Sequence, residues 1–383
     1  MRIERLISAF SIVVCSSCID RFFYEVELPQ GVPIAVSGHI TNQPGPYQVN
    51  INTSFDINSK ELTRTPVSVQ LVSIIDELNQ KEELTEVTPG IYQTRATGIK
   101  GRIGGVYKLR IELRDGKIYE SIPDTLLAPG KIDSLYHEFY SRMDPSGTTR
   151  YGFDLMMNSG SNSMTTRYMW SFAGTFKALT KPEDMDPRFS KCYSINGKCN
   201  FRPPCSGLKN ISPPWDDPLY ERVAPCTCCI CWYQFFNNAP LLSDEIYSRA
   251  TYKAVNIYDI PLSEWIFQNK IHALVNQATL TGQTFQFFKS IKQQKESVGS
   301  LSQPTVGRIP NTFIQIEGAP APINGIFYSA GMDSKSIYIT PLDVSRGIIL
   351  PTVAYGGQGG VGNISCLELF PNATTVQPDF WID

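Results

Sequence analysis

Alternation with a period of two residues, broken at intervals by turn residues, constrains this 383-residue chain more than any other feature. Val106, Leu109, Ile111 and Leu113 run into Asp115-Gly116, after which Ile118, Tyr119 and Ile122 continue. A D-G pair between two such runs predicts a tight hairpin, because glycine readily takes the positive φ the turn demands. The same grammar recurs over residues 33–40, at the Asn42-Gln43-Pro44-Gly45 break, and at Tyr47, Val49 and Ile51. Val67, Val69 and Leu71 make a further strand, and Ile91-Tyr92 follows the Pro89-Gly90 turn. Successive strand side chains point to opposite faces, so each run predicts one buried and one exposed face. Residues 31–128 therefore read as one antiparallel sandwich of Ig-like or transthyretin-like type.

A boundary is expected around Pro123 and Pro129-Gly130, with strands resuming over residues 132–140, 151–157 and 167–176. The pattern returns at Tyr252, Ala254, Asn256 and Tyr258, and again over 270–278, 312–317, 323–330 and 336–341. One helix interrupts it. With Thr281 as cap, Phe285, Phe288 and Ile291 recur at helical spacing while Lys289, Lys292, Gln293 and Lys295 face outward, which predicts a surface helix packed on a sheet. Residues 177–245 follow neither period and are rich in proline and cysteine. The expected architecture is mainly β: the sandwich over 31–128, then a larger β-sandwich domain over 129–383 with a cysteine-rich insertion at 177–245 and one surface helix. The 18 Tyr, 20 Phe and 5 Trp agree with β-rich cores.

The first eighteen residues stand apart. Arg2 and Arg5 flank the start of an apolar run from Leu6 through Val14, too short for the ~20 residues of a membrane-spanning helix but long enough for a signal-peptide core. Ser16-Ser17 before Cys18 resembles the lipobox of bacterial lipoproteins, whose cysteine is diacylated and begins the mature chain. Cys15 is the rival position, although Val14 before it is a poor match, and an ordinary cleaved signal is the alternative. Residues 1–18 are thus expected to be signal and lipobox, 19–30 a tether, and Cys18 a lipid anchor on a membrane surface. A net charge of -2 gives no electrostatic footprint for nucleic acid.

Ten cysteines are present, and removing Cys15 with the signal and Cys18 with the lipid leaves eight. An even number in an exported chain favours a disulfide framework, because that compartment is oxidising. Cys226, Cys228, Cys229 and Cys231 form two overlapping C-x-x-C patterns, with Cys192, Cys199, Cys205 and Cys366 outside them. Four outward bonds would use all eight. A bond between Cys192 and Cys199 across Asn196-Gly197 is the competing arrangement, and it forces at least one pair within the cluster. The rival chemistry is a metal or thiol-redox site, since four thiolates could collect zinc if a tight turn made them converge. On an extended strand Cys226 and Cys228 face one way, and Cys229 and Cys231 the other.

Other constellations carry less. Glu183, Asp184 and Asp186 bunch without EF-hand spacing and read as a solvated loop. Gly357, Gly359 and Gly362 spell G-x-G-x-x-G, but no helical pattern or βαβ unit follows, so a loop is expected. His39, His137 and His272 are scattered and show no ligand spacing. No G-x-S-x-G elbow occurs and nothing marks out a catalytic carboxylate pair, so neither enzyme activity nor a cofactor is expected. Trp170, Trp215, Trp232, Trp265 and Trp381 are expected in cores, with sugar-stacking platforms as the alternative.

Several stretches together look like a known family. They are P-I-A-V-S-G-H-I-T-N-Q-P-G-P-Y-Q-V (33–49), L-T-E-V-T-P-G-I-Y-Q-T (84–94) and Y-K-L-R-I-E-L-R-D-G-K-I-Y-E-S (107–121). The C-C-x-C-W run ending at Trp232, K-S-I-K-Q-Q-K-E-S-V-G-S-L (289–301), and Cys366 followed by N-A-T-T-V-Q-P-D-F-W (372–381) complete the set. In order and spacing these resemble the DUF4249 lipoproteins of Bacteroidota over nearly the whole mature chain. The resemblance implies a lipid-anchored outer-membrane protein, exposed at the cell surface, beside a SusC-like TonB-dependent transporter. It names no ligand. The resulting expectation is a non-enzymatic accessory that assists ligand capture or uptake; a metal-handling or thiol-redox protein using the cluster from Cys226 to Cys231 is the alternative.

Overall fold

A computed structural model describes residues 34–53, 65–160, 167–185, 193–195, 198–200, 202–213, 216–243, 251–297, 309–356 and 360–383. The chain is mainly β, and one strand organises it. Where the sequence predicts separate strands over 323–330 and 336–341, a single 17-residue strand, Ile323–Ile339, forms. Its first half pairs in parallel with Ile34–Thr41, from Ile34 opposite Ile323 to Thr41 opposite Ala330. Its second half pairs antiparallel with Ile271–Thr279, from Thr279 opposite Gly331 to Ile271 opposite Ile339. The break in hydrophobic pattern that imitates a turn is thus a change of neighbour. Glycine is needed at 331, because a Cβ there would lie 2.2 Å from the Leu127 carbonyl oxygen.

In the first sandwich, Ile34–Thr41 pairs with Gln48–Thr53, which continues through Ile91–Gln93 to Thr85–Thr88. The facing sheet runs Phe313–Glu317, Ile118–Ser121, Val106–Leu113, Val69–Asp76, Lys81–Glu83. The hairpin at Asp115-Gly116 is present, with Gly116 at φ 83°. Its inward set is Tyr107, Leu109, Ile111 and Leu113, so Tyr107 rather than Val106 begins the buried face. On the other face, Lys108 Nζ and Arg110 Nη1 lie 2.7 and 2.9 Å from the Glu120 carboxylate, using cross-strand neighbours as ion pairs. Phe313, Ile323 and Phe327 enter the same core as Ile40, Ile51, Ile74 and Tyr119. Residues 31–128 therefore do not close this core alone; the chain returns at residue 313 to finish it.

The second sandwich extends the same nine-stranded sheet through Ile323–Ile339, Ile271–Thr279, Tyr168–Leu179 and Ile230–Phe236. Against it packs a three-stranded sheet of Lys131–Met143, Thr149–Gly160 and Tyr252–Pro261. The interface is aromatic. Phe172 stacks on Tyr258 with ring centroids 4.2 Å apart, and Phe153 meets His137, Phe139 and Phe267. Trp170, Trp232 and Trp381 are buried, while Trp265 is half-buried against Phe370. These four pack rather than present platforms, and Trp215 lies outside the described residues.

The helix Gly282–Ser297 sits over the junction of the two sandwiches. Phe285 packs with Ala278, Leu280 and Ala330, and Phe288 meets Tyr328 edge-on. Thr281 is the cap, its Oγ1 accepting from Thr284 N at 3.4 Å. Behind the cap lies the buried Asp124 carboxylate. It accepts from Thr281 Oγ1 (2.6 Å), Thr284 Oγ1 (2.9 Å) and Ser329 N (2.9 Å), tying the end of the first sandwich to the helix start and the long strand. The partial positive charge of a helix N-terminus also favours a carboxylate there. Among the described residues, no helix is long and apolar enough to cross a membrane.

Candidate functional site

Strands Tyr168–Leu179 and Ile230–Phe236 pair antiparallel, an arrangement a short turn could close. Instead the chain leaves at Thr180 and returns at Cys229, where Thr180 N donates to the Cys229 carbonyl at 2.8 Å. The cysteine-rich insertion is this excursion, and the outer parts of 177–245 belong to the main sheet. Excursions beyond ~12–15 residues with little regular structure are uncommon in compact domains and tend to carry function. Two small ladders give it form, Tyr193–Ile195 with Lys198–Asn200 and Leu208–Asn210 with Tyr220–Arg222. The Arg202 guanidinium lies over the Tyr220 ring, 4.8 Å from its centroid.

Three disulfides fasten its base: Cys205 to Cys228, Cys226 to Cys229, and Cys231 to Cys366, with Cα separations of 5.5, 5.7 and 6.0 Å. The four clustered cysteines do not converge on one point. Cys231 continues the inward face of its strand and meets Cys366 in the aromatic core, both fully buried. Cys228 bonds outward to Cys205, while Cys226 and Cys229 close on each other in the bend, half-buried. Four outward bonds are thereby replaced by two outward bonds and one internal pair, and no four-thiolate centre forms. Cys192 and the Cys199 side chain lie outside the described residues, as do Cys15, Cys18 and the tether.

A carboxylate completes this bend. The turn Pro182–Asp184 sets Glu183 Oε2 3.1 Å from Cys229 Sγ, with Arg222 Nη2 4.0 Å from Glu183 Oε1. Ligand-type atoms of Glu183, Cys226 and Cys229 all lie within 4.8 Å of one another. Glu183, expected in a solvated loop, is half-buried beside sulfur. Its turn is fixed from behind: Lys181 N donates to the Gly362 carbonyl at 2.7 Å, and Asn363 Nδ2 to the Asp184 carbonyl at 3.0 Å. Gly362 of the literal G-x-G-x-x-G therefore has a packing role, since a Cβ would come within 2.6 Å of the Tyr355 ring. Gly357, Gly359 and Asp186 lie outside the described residues.

The excursion also carries exposed apolar side chains. Leu219 and Val223, 61% and 60% exposed, flank the strand Tyr220–Arg222, and Ile211 and Ile230 are exposed as well. Ile211 N donates to the Leu219 carbonyl at 2.9 Å, so two of these residues sit on directly bonded backbone.

A polar cluster on the outer face of the three-stranded sheet escapes sequence reasoning. Asp154 and Asp259 stand opposite each other on paired strands, and each carboxyl shifts the titration of the other. Arg142 pairs with Asp154 and lies 3.7 Å from Asp259, and Asn256 Nδ2 donates to both at 3.1 and 2.8 Å. Burial, then the Asp259 carboxyl beside it, pushes the Asp154 carboxyl up. Burial also presses on Asp259, but bonds from Asp154 and Asn256 and the Arg142 cation outweigh it and bring that carboxyl down. Arg142 further stacks 4.2 Å from the Tyr140 ring centroid, and the cluster acts as a clasp between strands. The histidines are dispersed: His39 stacks on Tyr328, His137 meets Phe153 edge-on, and His272 stacks on Phe380.

Compared with known families, residues 21–336 match the one described as "Domain of unknown function (DUF4249)". No curated protein and no solved structure matches the chain.

Proposed function

The chain belongs to the DUF4249 family, and from that premise we propose that it is a non-enzymatic outer-membrane lipoprotein, anchored through a lipid on Cys18, that associates with a SusC-like TonB-dependent transporter and assists ligand capture or uptake at the cell surface. The observation that carries this reading is the stapled excursion with Leu219 and Val223 at its surface. Apolar side chains held on a fixed backbone lose little conformational freedom when a partner covers them, so more of the hydrophobic gain appears as affinity. The β-sandwich beneath supplies rigidity, and the loop supplies contact.

A photo-crosslinking residue at position 219, read out in the native outer membrane, tests the association. This reading expects a dominant adduct with one β-barrel transporter. Adducts spread over abundant unrelated proteins count against it.

A further inference from the structure

The three disulfides among the described residues differ in what depends on them. If the Cys226 to Cys229 bond is opened, every other tie at the bend remains. Thr227 N still donates to the Cys205 carbonyl (2.8 Å), Cys366 N to the Cys228 carbonyl (3.0 Å), and Thr180 N to the Cys229 carbonyl (2.8 Å). The bond from Cys228 to Cys205 still holds the bend from within, and that from Cys231 to Cys366 holds it just beyond. The bond from Cys226 to Cys229 closes a sequence separation of only 3, against 23 and 135 for the others, so it removes the least entropy from the unfolded chain. Among the described residues it is also the bond whose two cysteines are both half-buried rather than one or both fully buried, so a reductant can reach it. Structurally it is the dispensable bond.

We propose that Cys226 and Cys229 form a reducible pair whose dithiol state, together with Glu183, binds a zinc-class divalent cation. A dithiol reductant opens the bond: one of its thiolates attacks a cysteine sulfur, forms a mixed disulfide and releases the other cysteine as thiolate. The reductant's second thiol then resolves the mixed disulfide, so the reductant leaves as a disulfide and both cysteines carry thiols. Zinc displaces the two thiol protons to solvent and takes two sulfurs and one Glu183 oxygen, leaving a fourth tetrahedral position for water. The donor atoms start together, all within 4.8 Å of one another, and opening the disulfide frees the two sulfurs to part to ligand spacing. Two thiolates and a carboxylate exceed a divalent cation by one negative charge, and Arg222 beside Glu183 supplies the compensating positive charge. Oxidation removes both thiolates and closes the site, so cation binding reports thiol state. This inference stands independently of the transporter association.

The test uses the full-length chain in detergent. With graded dithiothreitol, alkylation and peptide mass mapping should label Cys226 and Cys229 before any other disulfide-bonded cysteine. Titration of zinc against a chromogenic chelator should then show one zinc ion per chain, absent from the air-oxidised protein. Glu183→Gln should leave thiol yield and melting temperature unchanged while weakening zinc binding at least ~10-fold, the scale on which even outer-shell partners of a metal matter. Cys226→Ser with Cys229→Ser should abolish zinc binding; if that variant does not fold, the Glu183→Gln affinity decides alone. Labelling that begins at Cys205, Cys228, Cys231 or Cys366, or zinc affinity unmoved by Glu183→Gln, overturns the proposal.

Discussion

Cys231 is bonded to Cys366, 135 positions further along the chain, and the bond lies inside the aromatic core of the second sandwich. Cys366 opens the short helix Cys366–Leu369, and the adjoining Phe370 packs on Tyr233, Phe176 and Trp265 with ring centroids 5.1 to 5.3 Å apart. Beyond it, Thr374 and Trp232 exchange two backbone hydrogen bonds of 2.8 and 3.0 Å. The C-terminal segment is thereby fastened to the outermost strand of the large sheet. Cys231→Ser should cost about 2–5 kcal/mol in urea denaturation of the oxidised protein, the range for a native disulfide closing a long loop. Cys226→Ser with Cys229→Ser should cost less; equal losses would contradict the ranking of the two bonds.

Asp124 joins three elements through three donors, so its removal orphans buried groups. Asp124→Ala should destabilise the chain by about 3–5 kcal/mol, whereas Asp124→Asn keeps an acceptor oxygen and should cost about 1–2 kcal/mol. Chemical denaturation of both variants checks the order. Indistinguishable stabilities would remove the carboxylate from its tying role.

Burial against Phe380 and Tyr338 holds the His272 imidazole below its ordinary pKa. The unfolded histidine takes up a proton near pH ~6.5 while the folded one resists, so the unfolded state binds more protons. The contribution is therefore intact above about pH 6.5 and is lost as pH falls through the lower folded value. Melting curves from about pH 7 to about pH 5 should be less steep in pH for His272→Gln than for the parent. An unchanged pH dependence would show that His272 does not titrate in this way.

Cys18→Ala should yield a folded chain that partitions into the soluble fraction or to the wrong membrane, as expected when a lipid supplies the attachment. Retention as an integral component through alkaline washing would exclude the anchor.

Much of the strand pattern is legible because alternation and turn chemistry are local, as the hairpin around Asp115-Gly116 illustrates. The parallel pairing of Ile34 with Ile323 leaves no local mark, so the contribution of Phe313, Ile323 and Phe327 to the first core is invisible in sequence. The junction at Gly331 imitates a turn because the strand changes partner there. Counting cysteines leaves both pairing schemes open. The fold decides by burying Cys231 with Cys366 and bending Cys226 back on Cys229. Glu183 beside Cys229 and Asp154 opposite Asp259 are likewise products of distant strands meeting, with no spacing to announce them.

Mild-detergent purification of the tagged chain from outer membranes, with mass spectrometry of what stays bound, tests the proposed association with a transporter most directly. The predicted result is a stoichiometric TonB-dependent barrel, retained by the parent and lost from a Leu219→Asp, Val223→Asp variant of unchanged melting temperature. Recovery of this chain alone, under conditions that keep other outer-membrane complexes intact, would contradict it.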